Sequence, residues 1–129
     1  MPAPRRAAPT ETFAAIPDLP DLRFASGRVT VGNQEHALLD EIVLLLKEHP
    51  HTRLVIEGHT DDLGSREANL AVAEKRAASA RAYLIDKDIE PDRVTVVSYG
   101  PDRPLCRDKS SECRARNRRI HFVLNPRND

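Results

Sequence analysis

The sequence contains no tryptophan and few other aromatic residues, which restricts the kind of core that it can build. Aromatic residues make up 4% of its 129 residues, whereas hydrophobic residues together make up 40%. Such a core consists of leucine, valine, isoleucine and alanine, and it suits helices packed on a sheet. The length is enough for one core and therefore predicts one domain.

A long apolar run is also missing. No stretch reaches the roughly 18 apolar residues that a membrane-spanning helix needs, and the N-terminus lacks the apolar segment of a secretory signal. If the protein is exported, we therefore expect its signal, like any membrane attachment, to come from a part outside this chain.

The sequence has no net charge, because 20 lysines and arginines balance 20 aspartates and glutamates. This balance argues against a general nucleic-acid binder. Residues 103–119 carry seven basic and two acidic residues, but a basic segment of this kind is typical of a solvated face. We predict no nucleic-acid partner.

Only two cysteines occur, Cys106 and Cys113. A bridge between them would close a short loop. By restricting the unfolded chain it would stabilise the fold by about 2.5 kcal/mol, and it would indicate an oxidising compartment. The alternative is two free thiols that happen to be close in sequence. The polar residues between them favour the bridge.

Three segments differ in composition. Residues 1–20 are rich in proline and alanine, have no apolar period, and predict a flexible tail or linker. Residues 21–125 alternate between strand and helix patterns and predict the folded domain. Residues 126–129 form a short polar tail.

The first half of the domain predicts two strands and one helix. Alternating residues from Asp21 to Val31 indicate a strand with a bulge near Gly27. Apolar residues at helical spacing then predict a helix with Asn33 as its N-cap, which must end before Pro50. The apolar residues 52–58 indicate a central strand.

The second half predicts a longer helix and two further strands. Ser65 is the expected N-cap of a helix that ends near Lys87, with a stripe of alanines on one face. Residues 93–100 indicate a strand parallel to the central one. A polar loop and a closing strand follow. The fold class is α/β, a two-layer β-α-β-α-β-loop-β sandwich with a mixed sheet of about four strands and two main helices on one face.

Polar side chains cluster where the central strand ends, a junction at which α/β proteins often place function. Asp61 lies there, and Arg76 follows in the second helix. A carboxylate and a guanidinium close together can hold the two charges of a zwitterion. Asn69, two helical turns before Arg76, can share the same pocket wall. Taken alone, Asp61 can also be a turn cap and Arg76 a surface arginine or a partner of Asp61.

Other chemistries have less support. Glu57, His59 and Asp61 alternate along the chain but match no zinc signature, so we predict neither a metal nor a cofactor. Ser65 lacks a G-x-S-x-G setting, and neither cysteine lies in a recognisable Cys/His arrangement. We therefore predict no enzyme activity.

Several motifs stand in a specific order. They are Phe24 in the first strand, GHTDDLGS at residues 58–65, Asn69, KRA at residues 75–77, VSYG at residues 97–100 with Pro104, and RARNRRI at residues 114–120. In this order they resemble the OmpA-like C-terminal domain, the peptidoglycan-associating module shared by OmpA, Pal and MotB. The resemblance covers residues 22–124.

The resemblance implies non-covalent anchoring of the outer envelope, or of an attached module, to the cell wall. The ligand in this family is the diaminopimelate residue of the peptidoglycan stem peptide. Its ammonium meets the aspartate and its carboxylate meets the helix arginine, which here are Asp61 and Arg76. Asn69 and Arg118 line the same pocket in the family. The resemblance also implies a periplasmic, outer-membrane-associated location in a Gram-negative envelope.

The sequence departs from the family beside the pocket. Many members follow the first-strand phenylalanine with an aspartate that touches the ligand, whereas Phe24 is followed by Ala25. Ser26 or Asp62 is a candidate replacement, and Thr60 is a further candidate contact. This departure supports an alternative hypothesis, a structural module with weak or lost wall binding that serves oligomerisation, for example as a homodimer, or partner docking.

The two residues on either side of Arg118 have other expected roles. Arg119 alternates with Arg118 at the entry to the last strand, so it is expected to face the other way. Asn117 is expected to shape its loop through local hydrogen bonds rather than to contact a ligand.

Overall fold

A computed structural model describes residues 19–125. Most of the tail predicted for residues 1–20, and all of the polar end predicted for residues 126–129, lie outside this range. Leu19, near the end of the predicted tail, packs against the core and is partly buried.

Four strands and three helices alternate along the described residues. They are β1 (Leu22–Arg23), α1 (His36–Glu48), β2 (Arg53–His59), α2 (Arg66–Asp86), β3 (Val94–Gly100), α3 (Ser111–Asn117) and β4 (Arg119–Asn125). The strands form one sheet in the order β1-β4-β2-β3, in which β2 runs parallel to β3 and β4 runs antiparallel to β1 and β2. The α/β class, the mixed four-stranded sheet and the parallel pair are as predicted. None of the three helices has the length and apolarity needed to cross a bilayer.

The alanine stripe of α2 brings this helix close to the sheet. Ala73, Ala77 and Ala80 are completely buried, as the spacing predicts. A Cβ atom on Gly58 of β2 would lie 2.1 Å from the carbonyl oxygen of Ala73, so only glycine allows this approach. The close packing fixes the end of β2 relative to α2.

Helix α1 starts later than predicted. Asn33 does not cap it but opens a 3-10 turn, Asn33–Glu35, that leads into the helix. The Gly32 N–H donates to Glu35 Oε1 at 2.8 Å and closes this turn. The helix then buries Leu39, Ile42 and Leu46 in the core.

The first strand is much shorter than predicted. It ends after two residues, although the Phe24 N–H still donates to the carbonyl of Arg118 at 2.9 Å, the next position in the β1–β4 register. Gly27 then adopts a φ of 78° and turns the chain. The Val31 N–H donates to Ser79 Oγ of α2 rather than to a strand.

The sequence predicts a polar loop and a charged stretch where the structure forms helix α3. This helix is only 7 residues long, too short for an apolar period to be visible in the sequence. Its N-cap is Ser110, whose side chain accepts a hydrogen bond from the Cys113 N–H at 3.1 Å. A disulfide joins Cys106 to Cys113, so the bridge was the correct alternative. We call Cys106–Cys113 the disulfide loop.

Candidate ligand-binding site

Asp61 lies just beyond β2, next to the point where β3 ends. The Thr60 N–H donates to the carbonyl of Gly100 at 2.9 Å and continues the pairing of these two strands. Asp61 Oδ1 accepts the Leu63 N–H at 3.1 Å, a local turn-closing bond of the kind that aspartate favours. The side chain therefore acts as a turn cap, and its second oxygen is directed elsewhere.

That second oxygen contacts Arg118. Arg118 Nη1 donates to Asp61 Oδ2 at 3.1 Å, and Arg118 Nε donates to the carbonyl oxygen of Phe24 at 3.0 Å. The two side chains are only 18% and 10% exposed. Arg118 thus connects the chain after β1 to Asp61.

Arg76 reaches the same region from α2 and is 2% exposed. Its Nε donates to the carbonyl oxygen of Arg28 at 2.8 Å, and its Nη1 lies 3.5 Å from the carbonyl oxygen of His59. The guanidinium also lies 5.2 Å from the centre of the Phe24 ring. Where the sequence allowed a pair between Arg76 and Asp61, the structure pairs Asp61 with Arg118 instead, because Arg76 turns toward main-chain oxygens.

The charges at this junction are unequal. Burial lowers the pKa of Arg76, the nearby Arg118 cation lowers it further, and Asp61 opposes both effects. Two guanidinium groups therefore lie near one carboxylate, and of the two only Arg118 pairs with it directly. An added carboxylate would offset the excess positive charge, which makes the junction suitable for an anionic or zwitterionic group.

Asn69 lies in the first turn of α2. Its Nδ2 donates to the carbonyl oxygen of Leu63 at 2.8 Å, in the turn that Asp61 also closes. Thr60 is buried and donates from Oγ1 to the carbonyl oxygen of Asp61 at 3.0 Å. Both side chains therefore hold the turn that carries Asp61. Ser26 is exposed in the turn after β1.

Asp62 faces the disulfide loop and α3. It pairs with Lys109 Nζ at 2.5 Å and with Arg114 Nε at 2.8 Å. These two hydrogen bonds lower the pKa of the Asp62 carboxyl to about 2. Its carboxylate is thus engaged by two cations and ties the turn after β2 to the disulfide loop and to α3.

Asn117 shapes the loop before α3, as expected. Its Oδ1 accepts the Leu105 N–H at 2.8 Å, and its Nδ2 donates to the carbonyl oxygen of Cys106 at 3.0 Å. Arg119 is also buried, and its Nε lies 3.1 Å from Asp21 Oδ2. Because successive strand residues point to opposite faces, it lies on the face away from Ile120 and the helices.

Two features near the site carry no clear sequence signal. The first is the Arg28 carbonyl, which holds Arg76. Because every residue type carries a main-chain carbonyl, the identity of residue 28 does not reveal this contact. His59 is 2% exposed and stacks on Tyr99 with ring centres 5.5 Å apart. Burial, helped by the Arg119 cation, lowers the pKa of His59 to about 4. Within residues 19–125, no group of three or more His, Cys, Asp or Glu side chains is placed to hold a metal.

The fold and the site together define an α/β module with a charged pocket where a parallel strand leads into a helix. The chain belongs to the OmpA family, whose family model matches residues 23–118.

Two curated relatives illustrate the similarity. The chain is 34% identical over 101 residues to the peptidoglycan-associated lipoprotein of Rhizobium meliloti (strain 1021). The aligned region covers 78% of this chain and 57% of that protein. The chain is 33% identical over 104 residues to outer membrane protein A of Bordetella avium, and this alignment covers 81% of this chain and 54% of that protein. The chain thus spans about half the length of the curated relatives that it matches.

Solved structures agree with this assignment. The peptidoglycan-associated lipoprotein from Burkholderia pseudomallei superposes with a TM-score of 0.79 at 31% identity, over 81% of this chain and 89% of that chain. A MotB-like protein from Desulfovibrio vulgaris gives a TM-score of 0.72 at 32% identity, over 82% and 71%.

Proposed function

We propose that this chain is a non-covalent peptidoglycan-binding module that recognises the diaminopimelate residue of the stem peptide. Two kinds of observation support the proposal. Relatives from Rhizobium meliloti and Burkholderia pseudomallei are named peptidoglycan-associated lipoproteins. In this fold Arg118 also contacts Asp61, and the Arg76 guanidinium lies nearby against the Phe24 ring.

The observation that carries the proposal is the convergence of one carboxylate and two guanidinium groups. Arg118 contacts Asp61 directly, and the Arg76 guanidinium lies against the Phe24 ring and 3.5 Å from the carbonyl oxygen of His59, two residues before Asp61. The side chain of diaminopimelate ends in an ammonium and a carboxylate on one carbon. Such a group needs a carboxylate and a cation side by side, and the three residues provide both.

The contacts of the ligand follow from the groups that still have bonding capacity. The ligand ammonium donates to Asp61, because a carboxylate oxygen accepts more than one hydrogen bond. The ligand carboxylate accepts from Arg76, whose guanidinium carries more N–H groups than its two main-chain acceptors use. Arg118 adds positive charge, and Asn69 holds the turn on which Asp61 lies.

This function assigns the chain to the periplasm, in association with the outer membrane. Binding at the pocket anchors whatever is attached to the domain to the cell wall. The chemistry is recognition without bond cleavage, so incubation of the purified chain with peptidoglycan is expected to release no muropeptides.

Co-sedimentation with purified peptidoglycan tests the proposal. Wild type is expected to sediment with the wall, and Asp61→Ala and Arg76→Ala are expected to remain in the supernatant. Arg66→Ala is the matched control, since Arg66 is an exposed arginine of α2 that pairs with Asp102. Circular dichroism confirms that each variant is folded. Equal sedimentation of wild type and both pocket variants would contradict the pocket assignment.

A structural or interaction module of the same fold is the second candidate. Ala25 stands where many members carry a further aspartate, and Arg76 is held by the Arg28 carbonyl at 2.8 Å. If this alternative holds, wild type itself does not sediment with peptidoglycan. Sedimentation equilibrium in the ultracentrifuge then distinguishes a homodimer from a monomer that docks on another partner.

A further inference from the structure

A cleft lies next to Asp61, between the turn after β2 and the disulfide loop. Its lining consists of Thr60, Asp61, Asp62, Pro101, Pro104, Asn117 and residues 106–109. One wall therefore belongs to the proposed diaminopimelate pocket. The opposite wall is formed by the disulfide loop, which contributes no residue to that pocket.

The loop wall is held in place by several independent contacts. The disulfide closes it at both ends. Asn117 binds the main chain on its N-terminal side, at Leu105 and Cys106. Asp62 binds Lys109 within the loop and Arg114 of α3. A side chain on this wall thus faces the cleft from a constrained backbone, which reduces the entropy lost when it binds.

The charged groups of the cleft are almost all engaged. Asp61 pairs with Arg118, Asp62 pairs with Lys109, and Asp108 accepts the Ser110 N–H at 3.0 Å. Arg107 is the exception: within residues 19–125 it forms no ion pair. An exposed guanidinium without a partner therefore lines the cleft beside the pocket.

We propose that Arg107 is a specificity-determining residue that binds a second carboxylate of the stem peptide, next to the zwitterionic end held by Asp61 and Arg76. This inference rests on the proposed function. The ligand class is a peptide that carries a free carboxylate beyond the diaminopimelate side chain, as opposed to the same peptide with that carboxylate converted to an amide. A guanidinium distinguishes the two because it pairs with the anion and has only a weak interaction with the neutral amide.

Two stem-peptide fragments test this inference. Both contain diaminopimelate, and they differ only in whether the carboxylate of the preceding residue is free or amidated. Isothermal titration of the full chain is expected to give a roughly fivefold tighter Kd for the free acid, the size of effect that a partly exposed charged pair provides. Arg107→Gln is expected to bind both fragments with the affinity that wild type has for the amide.

Arg103→Gln is the matched control. Arg103 lies in the same basic segment but stacks over the Tyr99 ring at 3.9 Å, outside the cleft lining. It is expected to keep the wild-type preference. The double variant Cys106→Ser, Cys113→Ser is expected to lose much of the preference but to bind the amidated fragment as wild type does, because the Asp61 and Arg76 pocket remains.

The outcomes separate this inference from the function on which it rests. If wild type binds both fragments equally, or if Arg107→Gln keeps the preference, Arg107 has no such role although diaminopimelate binding stands. If Arg103→Gln loses as much of the preference as Arg107→Gln does, the preference comes from the general positive charge of the segment and not from a specific contact with Arg107. If wild type binds neither fragment, the proposed function and this inference both fail.

Discussion

Arg118 Nη1 donates to Asp61 Oδ2 at 3.1 Å, across 57 positions of the sequence. The carboxylate proposed to receive the ligand ammonium is therefore already held by a cation from the far end of the domain. Its other oxygen closes a turn with the Leu63 N–H. Asp61 is thus fixed at both oxygens before a ligand arrives, and a rigid acceptor costs little ordering entropy on binding.

Arg118 is expected to act by positioning Asp61 as well as by its charge. Arg118→Lys keeps the charge but cannot reach Phe24 and Asp61 at once, as the forked guanidinium does. We expect peptidoglycan binding to weaken about tenfold, in line with the loss of one charged hydrogen bond. Binding isotherms on purified peptidoglycan measure this. Arg116→Lys, an exposed neighbour, should bind as wild type does. An unchanged isotherm for Arg118→Lys would show that Arg118 contributes only its positive charge and does not position Asp61.

His59 is expected to make stability depend on pH. Its folded-state pKa is about 4, below the ordinary 6.5, so between these values the unfolded chain binds the extra proton. The free energy of unfolding therefore falls as the pH falls from 6.5 to 4, by about 1 to 3 kcal/mol. Urea unfolding at a series of pH values measures this loss.

Two variants isolate the contribution of His59. His59→Gln removes the titrating group, so its stability should fall less over this pH range than that of wild type. His51→Gln removes an exposed histidine and should behave as wild type does. The same pH dependence in His59→Gln as in wild type would show that other groups cause it.

Gly58 is expected to tolerate no side chain. In Gly58→Ala the new methyl group would lie 2.1 Å from the Ala73 carbonyl oxygen, and a main-chain atom cannot move aside without shifting α2. We expect the free energy of unfolding to fall by about 3 kcal/mol, the upper end of the usual cost of overpacking. Urea unfolding measures it, with Thr95→Ala at an exposed position of the neighbouring strand as control. Wild-type stability in Gly58→Ala would contradict the close packing of α2 on β2.

Asn117 is expected to hold the chain that enters the disulfide loop. Asn117→Ala leaves the Leu105 N–H and the Cys106 carbonyl without their partner, at a cost of about 1 to 3 kcal/mol. Hydrogen exchange at the Leu105 amide should accelerate. The Ala68 amide, which Ser65 caps at 3.1 Å, should exchange at its wild-type rate in the same sample. Unchanged exchange at Leu105 would mean that the disulfide and the Asp62–Lys109 pair hold the loop without Asn117.

Much of the sheet and of α2 could be predicted from the sequence, since these elements depend on local patterns. The alanine stripe of α2 recurs at helical spacing, and Ser65 caps the helix as its residue type suggests. The parallel pairing of β2 and β3 follows from the helical crossover between them. The resemblance to the family predicts that Asp61, Arg76 and Arg118 line one pocket.

The remaining features depend on contacts between distant residues. After Phe24 the chain turns at Gly27, and the Val31 N–H donates to the Ser79 hydroxyl of α2. A residue pattern that suggests a strand is therefore overridden by a turn and a tertiary contact. Helix α3 is too short to produce an apolar period. The choice of Arg118 over Arg76 as the partner of Asp61 is a matter of side-chain geometry, which no spacing along the chain specifies.

The central claim is that Asp61 and Arg76 hold the two charges of diaminopimelate. Its most direct test is an isothermal titration with two tripeptides that differ only in the third residue, diaminopimelate or lysine. Lysine keeps the ammonium but lacks the side-chain carboxylate. We expect wild type to bind the diaminopimelate peptide at least about tenfold more tightly, Arg76→Gln to lose this difference, and the control Arg66→Gln to keep it. Equal affinity of wild type for both peptides would contradict the account.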